Sequence, residues 1–433
     1  MRILVLSNLY PPDFIGGYEL CCRQVVDALL ARGHDVQVLT SSPRTPCPPA
    51  DHVLRQFELS NCYDAHDVLN SLPLTRKVLE SKAVWVNAHN VHVLLDSLAR
   101  FEPDVVYLWN LLGLGGLGLI GCLQHLDVPW VWYLGDCVPS MLCRRGEEVL
   151  PVLAEQFSRR VNGIYMPVSQ RVADEIESAG VRLNGQVELL PNWVLGEQPP
   201  QRTRYFQPGD TLRIVSAGQM GRHKGIDLLV EAAALLRQRG HENFSIDLFG
   251  KVSESSLAEL PRTLGVDTHV TFRGVCPQEE LVGRYERHEY DVFAFPTWER
   301  EPFGCAPLEA AAHGCVIVMT QSCGISEWLV HDVHCLKTAR TAEHLADVFG
   351  RILQGAIDLA PLARRASAVI WRDFHLDTIL PHIERALMRA ARQKSCDAPA
   401  WSRQGGADDA YRLALLADKL SRALIHDQHT QAA

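Results

Sequence analysis

The chain has 433 residues, of which 47% are hydrophobic and 21% are charged, and its net charge is −9 at pH 7. That length accommodates about two or three domains with sizeable cores, and the net charge argues against a general nucleic-acid-binding protein, although a local basic patch stays open. The cysteine count of 13 is odd and has no metal-ligand spacing, which favours a reduced, cytoplasmic chain over a disulfide framework.

The sequence carries no sign of a secretory or membrane-spanning segment. Residues 1–7 run directly into a predicted strand, which is not the pattern of a signal peptide. The longest apolar region, residues 111–123, is glycine-rich and too short to cross a bilayer. We therefore expect a cytoplasmic protein, and peripheral contact with the inner face of a membrane is left open.

The N-terminal residues predict a βαβ unit. A strand at Ile3–Leu6 is followed by a loop with Gly16 and Gly17, a helix over Tyr18–Arg32 and a second strand at Val36–Leu39. Glycines in the first loop would let the backbone approach a ligand closely, while a plain tight turn is the alternative. The loop lacks the G-x-G-x-x-G pattern, so a dinucleotide is not indicated.

The same alternation continues to about residue 190 and indicates a parallel sheet. Residues 42–50 are proline-rich and predict a surface loop, and residues 60–92 predict an irregular, partly helical segment. Strands are predicted at 104–109, 128–134, 163–168 and 187–190, with a helix at 170–179.

A second α/β series follows a polar, proline-containing segment, residues 196–209, that predicts an interdomain linker. It opens with a strand at 212–218, a loop at 219–225 and an amphipathic helix at 226–239. Further strands are predicted at 245–249, 270–273, 292–295 and 316–319, and helices at 278–286, 307–313, 342–353, 361–371 and 376–392. Ligands of such sheets bind at the carboxyl ends of the strands, so the cleft between the two domains is the expected site.

We divide the chain into four parts on this pattern. Residues 1–200 form an N-terminal domain and residues 210–360 a second one, while residues 361–393 are helices of which the last crosses back to the first domain. Residues 394–433 comprise a polar linker and an amphipathic helical tail. Docking of this tail within the chain or in a dimer is favoured over docking on a partner or a membrane surface. The few cations of the tail argue against the membrane surface in particular. The oligomeric state is not predicted.

Two carboxylates flank a predicted turn between a buried strand and a helix. Glu301 lies in the loop, Glu309 lies about one turn into the helix, and Pro307 is assigned to the first helical position. The free amides and the dipole of that first turn favour an anion. The stretch predicts a site for a phosphorylated ligand with hydroxyls, and the alternative is an ordinary turn with a solvated glutamate.

Two cations lie in a second loop of the same domain. Arg222 and Lys224 follow a strand and precede a helix, where they could neutralise a diphosphate leaving group. The alternative is a solvated basic turn. Neither a Ser-His-Asp order nor a Gly-x-Ser-x-Gly pattern of a nucleophilic serine is evident. No His-Glu-x-x-His or cysteine cluster suggests a catalytic metal, so none is expected.

These motifs in combination resemble the retaining GT-B glycosyltransferases of family 4. The stretch from Glu301 to Glu309 resembles the E-x7-E signature of that family, and residues 324–327 resemble its G-x-x-E turn. Residues 217–225 resemble its G-R-L-x-x-x-K-G loop, residues 191–194 its P-N-G-V segment, and residues 16–19 its N-terminal Gly-Gly loop. The resemblance implies an α/β fold of two doubly wound, Rossmann-like domains that face each other across a cleft.

The resemblance also implies roles for particular residues. It assigns catalysis to Glu301 beside the transferred sugar, Lys224 at the diphosphate and Asp136 on the acceptor side. Glu309 would bind the ribose hydroxyls of the donor nucleotide. The full set of implied donor-binding residues is Gly16, Gly17, Gly218, Arg222, Lys224, Phe303, Gly304, Cys305 and Glu309.

Three positions depart from the family pattern. Gln219 stands where the family often has arginine, so one diphosphate cation is missing or replaced by Arg222. Gly135 stands where many members have histidine before the aspartate, which leaves Asp136 to act alone. Trp193 replaces the usual glycine after asparagine. These departures leave open a changed acceptor or lost activity.

The expected function is transfer of a sugar, with retention at the anomeric carbon, from a nucleotide-diphospho sugar to a glycan, lipid-linked or small-molecule acceptor. The nucleotide sugar would be a co-substrate, and neither a further cofactor nor a nucleic-acid partner is expected. A sugar-nucleotide epimerase and a non-catalytic sugar-nucleotide-binding protein are the alternatives. The sequence does not predict the base, the sugar or the acceptor.

Overall fold

The computed structural model of the protein describes residues 1–43, 46–60, 82–84, 86–147, 163–183 and 186–393. The chain divides into two compact units. Of the described residues, unit 1 comprises those within Met1–Val168 and Val172–Leu190 together with residues 380–393, and unit 2 comprises Ser169–Arg171 and Pro191–Ile379. Among the described residues, no helix combines the length and the apolar composition that crossing a membrane requires.

Unit 1 contains a seven-stranded sheet in which every pair of neighbours is parallel. The strands are β1 (Arg2–Leu6), β2 (Asp35–Ser41), β3 (Val53–Phe57), β4 (Val105–Leu108), β5 (Trp130–Leu134), β6 (Gly163–Pro167) and β7 (Gln186–Val187). Their order is β3-β2-β1-β4-β5-β6-β7. The central strands are buried on both faces, which explains their continuous apolar runs.

The described helices of unit 1 cover this sheet. They are α1 (Gly17–Ala31), α2 (Ala88–Phe101), α3 (Gly116–His125), α4 (Val138–Glu147) and α5 (Gln170–Ser178), of which α5 begins in the residues assigned to unit 2. Large aromatic side chains fill the core between them. Trp109 and Trp132 are fully buried, and the Trp132 indole donates a hydrogen bond of 2.7 Å to the Trp109 carbonyl oxygen. Pairing the indole N–H avoids the cost of burying an unsatisfied donor.

Unit 2 contains a six-stranded sheet that is also parallel throughout. Its strands are β8 (Leu212–Ala217), β9 (Phe244–Phe249), β10 (Val270–Gly274), β11 (Val292–Phe295), β12 (Val316–Thr320) and β13 (Cys335–Thr338). The order β10-β9-β8-β11-β12-β13 reverses direction between β8 and β11. Loops after these two strands therefore border the crevice where doubly wound sheets bind ligands.

The helices of unit 2 are α6 (Ile226–Gln238), α7 (Ser255–Thr263), α8 (Gln278–Glu286), α9 (Cys305–Ala312), α10 (Ala342–Leu353), α11 (Leu359–Asp373) and the start of α12 (Leu376–Arg392). Helix α12 continues into the residues assigned to unit 1. Its Glu384 accepts hydrogen bonds from Arg32 at 2.7 Å and from His34 at 3.1 Å, within unit 1.

A buried ion network anchors the polar segment that precedes β8. Arg202 and Asp291 have side chains only 4% and 2% exposed and are paired at 2.5 Å. Arg202 also donates to the Tyr290 carbonyl oxygen at 2.8 Å, and Arg213 pairs with the other side of the carboxylate. Part of the predicted linker is thus held by hydrogen bonds and ion pairs at the amino-terminal ends of strands in the second sheet.

The prediction of two doubly wound α/β domains is confirmed, but several elements differ from expectation. Strands β3 and β13 and helices α3, α4 and α7 were not predicted from the sequence, because these segments are short, partly exposed or glycine-rich. Helix α2 was predicted only up to residue 92. Helix α9 begins at Cys305, so the assignment of Pro307 to the first helical position was wrong. The predicted tail at residues 394–433 and most of the irregular segment at 60–92 lie outside the described residues.

Candidate functional site

The loop after β8 lies directly against the segment after β11. It forms a 3₁₀ turn at Arg222–Lys224 that ends at Gly225, whose φ is 70°. A Cβ atom at Gly225 would lie 2.2 Å from the Pro296 carbonyl oxygen, so only glycine allows this approach. The Trp298 amide donates to the His223 carbonyl oxygen at 2.9 Å and joins the two loops.

This approach brings Lys224 and Glu301 together. Their side chains form an ion pair and are 23% and 11% exposed, respectively. The Thr297 hydroxyl donates to the same carboxylate oxygen of Glu301 at 3.1 Å. Two donors therefore fix the orientation of a partly desolvated carboxylate, where charge interactions are stronger than in water.

Helix α9 begins next to this pair. Gly304 is its N-cap residue with φ 116°, and a Cβ atom there would lie 2.8 Å from the Phe295 ring. The amides of Gly304 and Cys305 have no acceptor among the described residues, as expected at a helix start. Pro307 occupies the third helical position, where its missing N–H removes no intrahelical hydrogen bond. Free amides and the helix dipole make this turn favourable for a polar or anionic ligand.

The G-x-x-E turn supports the loop that contains Glu301. A Cβ atom at Gly324 would lie 1.8 Å from the Pro302 carbonyl oxygen, and the Gly324 amide donates to the Glu301 carbonyl oxygen at 3.1 Å. Glu327 accepts hydrogen bonds from the amides of Gln170 at 2.6 Å and Arg171 at 2.9 Å. The turn therefore acts as a scaffold for the Glu301 loop.

Glu309 lies on α9 in a different environment from Glu301. Burial raises the pKa of its carboxyl group to about 7, while a hydrogen bond from Gln278 opposes the increase. The Gln278 amide donates to the Glu309 carboxylate at 2.5 Å. This carboxyl group can change its charge near neutral pH.

A small cavity opens at the carboxyl ends of β9 and β10. Its volume is about 230 Å³, and its lining combines an aromatic ring, apolar groups and charged groups. The lining residues are Phe249, Arg273, Val275, Cys276, Glu280 and Arg284. The Arg284 guanidinium lies 5.5 Å from the centroid of the Phe249 ring.

Arg222 is engaged with carboxylates. Its guanidinium pairs with Asp227 at 3.1 Å and with Glu254 at 3.3 Å, and its side chain is 52% exposed. Gly218 follows β8 in a positive-φ conformation, with φ 135°. A Cβ atom at Gly250 would lie only 1.7 Å from the Gly218 carbonyl oxygen, so the loops after β8 and β9 pack closely.

The predicted residues of unit 1 lie in that unit's own loops. Gly16 is the N-cap residue of α1, and its amide donates to Glu19 at 3.1 Å in a capping box. Gly17, the first helical residue, is exposed. Asp136 follows β5 and accepts a hydrogen bond from the Cys137 amide at 2.7 Å. The roles of these residues remain predictions.

The structure gives a reason for glycine at position 135. A Cβ atom there would lie 3.0 Å from the Tyr18 ring. The Tyr18 hydroxyl donates to the Tyr133 carbonyl oxygen at 2.5 Å, which holds the ring in place. Tyr18 thus occupies the space into which a larger side chain at position 135 would project.

Three side chains that contact the predicted residues were not themselves predicted as site residues. Thr297 contacts Glu301, Gln278 contacts Glu309, and the Asn192 amide lies 3.1 Å from the Cys305 sulfur. Thr297 could have been found from its position just after a buried strand. The other two depend on contacts between residues more than 30 positions apart in the chain.

Two family models match the sequence. The model described as "Glycosyl transferases group 1" matches residues 197–368, and "Glycosyl transferase 4-like domain" matches residues 16–193. Glycogen synthase of Mycobacterium tuberculosis (strain ATCC 25618 / H37Rv) is 25% identical over 408 residues, covering 90% of this chain and 95% of that protein. D-inositol 3-phosphate glycosyltransferase of Arthrobacter sp. (strain FB24) is 25% identical, covering 72% and 75%.

Solved structures with a similar fold include sucrose-phosphate synthase from Thermosynechococcus elongatus. Its TM-score is 0.67 at 18% identity, with coverage of 90% of this chain and 98% of that chain. HepE of Anabaena, in complex with UDP and glucose, has a TM-score of 0.62 at 18% identity and coverage of 90% and 100%. These likenesses show that the chain has the same fold as those proteins, with two Rossmann-like domains.

Proposed function

The chain belongs to the glycosyl transferases of group 1, and we propose that it transfers a sugar, with retention, from a nucleoside-diphospho sugar to an acceptor hydroxyl. The observation that carries this proposal is the Lys224–Glu301 pair beside the free amides of α9. A cation, an oriented carboxylate and a helix start meet at the point where strand order reverses. The acceptor is a glycan, a lipid-linked saccharide or a small molecule.

In the proposed reaction, the bond between the anomeric carbon and the diphosphate oxygen breaks, and the electron pair stays on the diphosphate. Lys224 and the amides of Gly304 and Cys305 face the negative charges and hydroxyls of the donor. Their alignment before reaction is what allows such groups to stabilise developing charge. The acceptor oxygen then bonds to the same face of the anomeric carbon, and its proton passes to the leaving phosphate oxygen.

Glu301 has an electrostatic role in this scheme. Its carboxylate, held by Thr297 and Lys224, would orient the sugar hydroxyls and stabilise positive charge on the sugar ring. No protein nucleophile is invoked. We also propose that no metal ion is needed, because Lys224 and the start of α9 supply the positive electrostatic environment of the diphosphate.

The nucleoside would lie along α8 and α9. Glu309 would accept hydrogen bonds from the ribose hydroxyls, and its partner Gln278 lies in the sequence between Cys276 and Glu280, which line the 230 Å³ cavity. The base would enter this cavity, where the Phe249 ring offers an apolar face. UDP is the ligand in the HepE structure, and another relative is described as a GDP-mannose-dependent mannosyltransferase. Both nucleotides are therefore appropriate first probes.

The first experiment is a thermal-shift panel of the full chain with UDP, GDP, ADP and their glucose or mannose conjugates. A bound donor stabilises the native state by mass action. The donor that binds is then incubated with glycan, lipid-linked and small-molecule acceptors, and the anomeric configuration of the product is read by NMR. An inverted product would refute the retaining reaction, and a new sugar nucleotide formed without acceptor would indicate an epimerase.

The variant Glu301→Gln tests the proposed role of the carboxylate. We expect kcat to fall by about 10²- to 10³-fold, the range for loss of a transition-state electrostatic group, while the donor Kd changes little. Glu299→Gln is the matched control, because Glu299 is an exposed carboxylate of the same loop. Equal losses in kcat and in donor binding would contradict a role in the transition state. Donor binding by the unaltered chain without turnover of any acceptor would favour a non-catalytic binding protein.

A further inference from the structure

Three cationic residues around the loop after β8 differ in their partners. Arg222 is paired with Asp227 and Glu254, and Lys224 is paired with Glu301. Arg340, two residues beyond β13, has no carboxylate partner among the described residues. The cation without a carboxylate partner is therefore Arg340, and not one of the two cations that the sequence motif indicated.

The guanidinium of Arg340 is fixed against the 3₁₀ turn. Its Nη2 donates a hydrogen bond of 2.6 Å to the Arg222 carbonyl oxygen, which lies 118 positions away in the chain. Its Nε is buried and has no hydrogen-bond partner. Leaving a buried N–H of a charged group without an acceptor is unfavourable. The Arg340 side chain is therefore held by one hydrogen bond and still has an N–H donor without a partner.

The electrostatics of the turn show that Arg340 acts on the same region as Lys224. The pKa of His223, between Arg222 and Lys224, is lowered first by burial, then by Lys224 and, more weakly, by Arg340, while Glu301 acts in the opposite direction. The His223 ring packs edge-on against Trp298, with ring centroids 5.5 Å apart. Two cations thus influence one imidazole next to the site, which favours an anion at this turn.

We propose that Arg340 is a second diphosphate-binding cation, which donates a hydrogen bond to a phosphate oxygen of the nucleoside-diphospho sugar. The proposal rests on the proposed function. Arginine suits this role because its planar guanidinium presents several donors in a fixed geometry. The diphosphate carries more negative charge than Lys224, already shared with Glu301, can neutralise alone. Arg340 would provide the charge that Gln219 does not.

The test compares nucleoside diphosphates with nucleosides, by calorimetric titration of the full chain with UDP, GDP and ADP and with uridine, guanosine and adenosine. In Arg340→Ala we expect affinity for the bound diphosphate to fall about 10- to 100-fold, the range for a charge-assisted hydrogen bond. Affinity for the matching nucleoside should not change. Arg340→Lys should recover part of the loss, because it restores the charge without the guanidinium fork.

Two further variants make the assignment specific. Arg351→Ala removes an exposed arginine of α10 and should leave diphosphate binding unchanged. Arg222→Ala should cause a smaller loss than Arg340→Ala, since Arg222 is already neutralised by two carboxylates. A larger loss at Arg222, or equal losses for diphosphate and nucleoside in Arg340→Ala, would overturn the role of Arg340 and leave the proposed function standing. Absence of any diphosphate binding by the unaltered chain would overturn both.

Discussion

The hydrogen bond between Gln278 and Glu309 predicts a pH dependence of donor binding. Ribose hydroxyls donate to a carboxylate best when it is ionised. Burial raises the pKa of Glu309 to about 7, and Gln278 opposes that increase. Donor affinity should therefore decrease as the pH falls through about 7, because the protonated form has lost acceptor capacity. Removing the amide in Gln278→Ala should raise the pKa further and move the binding midpoint to a higher pH.

The size of the effect follows from the ionised fraction. With a pKa of about 7, nine-tenths of Glu309 would be ionised at about pH 8 and one-tenth at about pH 6, so affinity should drop about tenfold between them. The stability of the ligand-free protein should depend on pH in the opposite direction. Because the folded-state pKa is raised, Glu309 favours folding below about pH 4.5, and this contribution, on the order of 3 kcal/mol, is lost as the pH rises through about 7.

The assay is titration with the best-binding nucleoside-diphospho sugar at half-unit pH intervals, because its diphosphate has no terminal phosphate that titrates in this window. Glu279→Ala is the matched control, because Glu279 is an exposed residue next to Gln278 in the first turn of α8. The pKa of the neighbouring Tyr285 is raised well above its usual value by burial, so Tyr285 stays neutral in this window. Glu309→Gln should remove the pH dependence. An unshifted midpoint in Gln278→Ala, or a pH dependence that persists in Glu309→Gln, would refute the reasoning.

Two other outcomes concern stability and metal dependence. Asp291→Ala would leave Arg202, whose side chain is 4% exposed, as an uncompensated buried charge, so unfolding in urea should show a loss of about 3–5 kcal/mol. Asp373→Ala breaks an exposed pair and should change the urea midpoint little. Exhaustive treatment with EDTA should leave sugar transfer unchanged if Lys224 and α9 suffice, and activity that returns only with added Mg²⁺ or Mn²⁺ would contradict that proposal.

Much of the architecture could be predicted because its determinants are local. The runs Ile3–Leu6, Val292–Phe295 and Val316–Met319 are uniformly apolar, which is the pattern of strands buried on both faces. Glycines before and after predicted helices indicated the ligand loops. Strand β13 was not predicted, because it lies at the edge of its sheet and contains polar residues. An edge strand needs no continuous apolar run, so the local pattern does not reveal it.

The sequence by itself determined the fold class, the family and the two loops that carry Lys224 and Glu301. Only the tertiary structure decided how their charges are shared. Arg222 contacts Glu254, and Arg340 contacts the backbone of Arg222, across 32 and 118 positions of the chain. Such contacts depend on how neighbouring strands bring separate loops together. A motif therefore indicates which residue types are present, while the folded chain determines which of their charges stay free for a ligand.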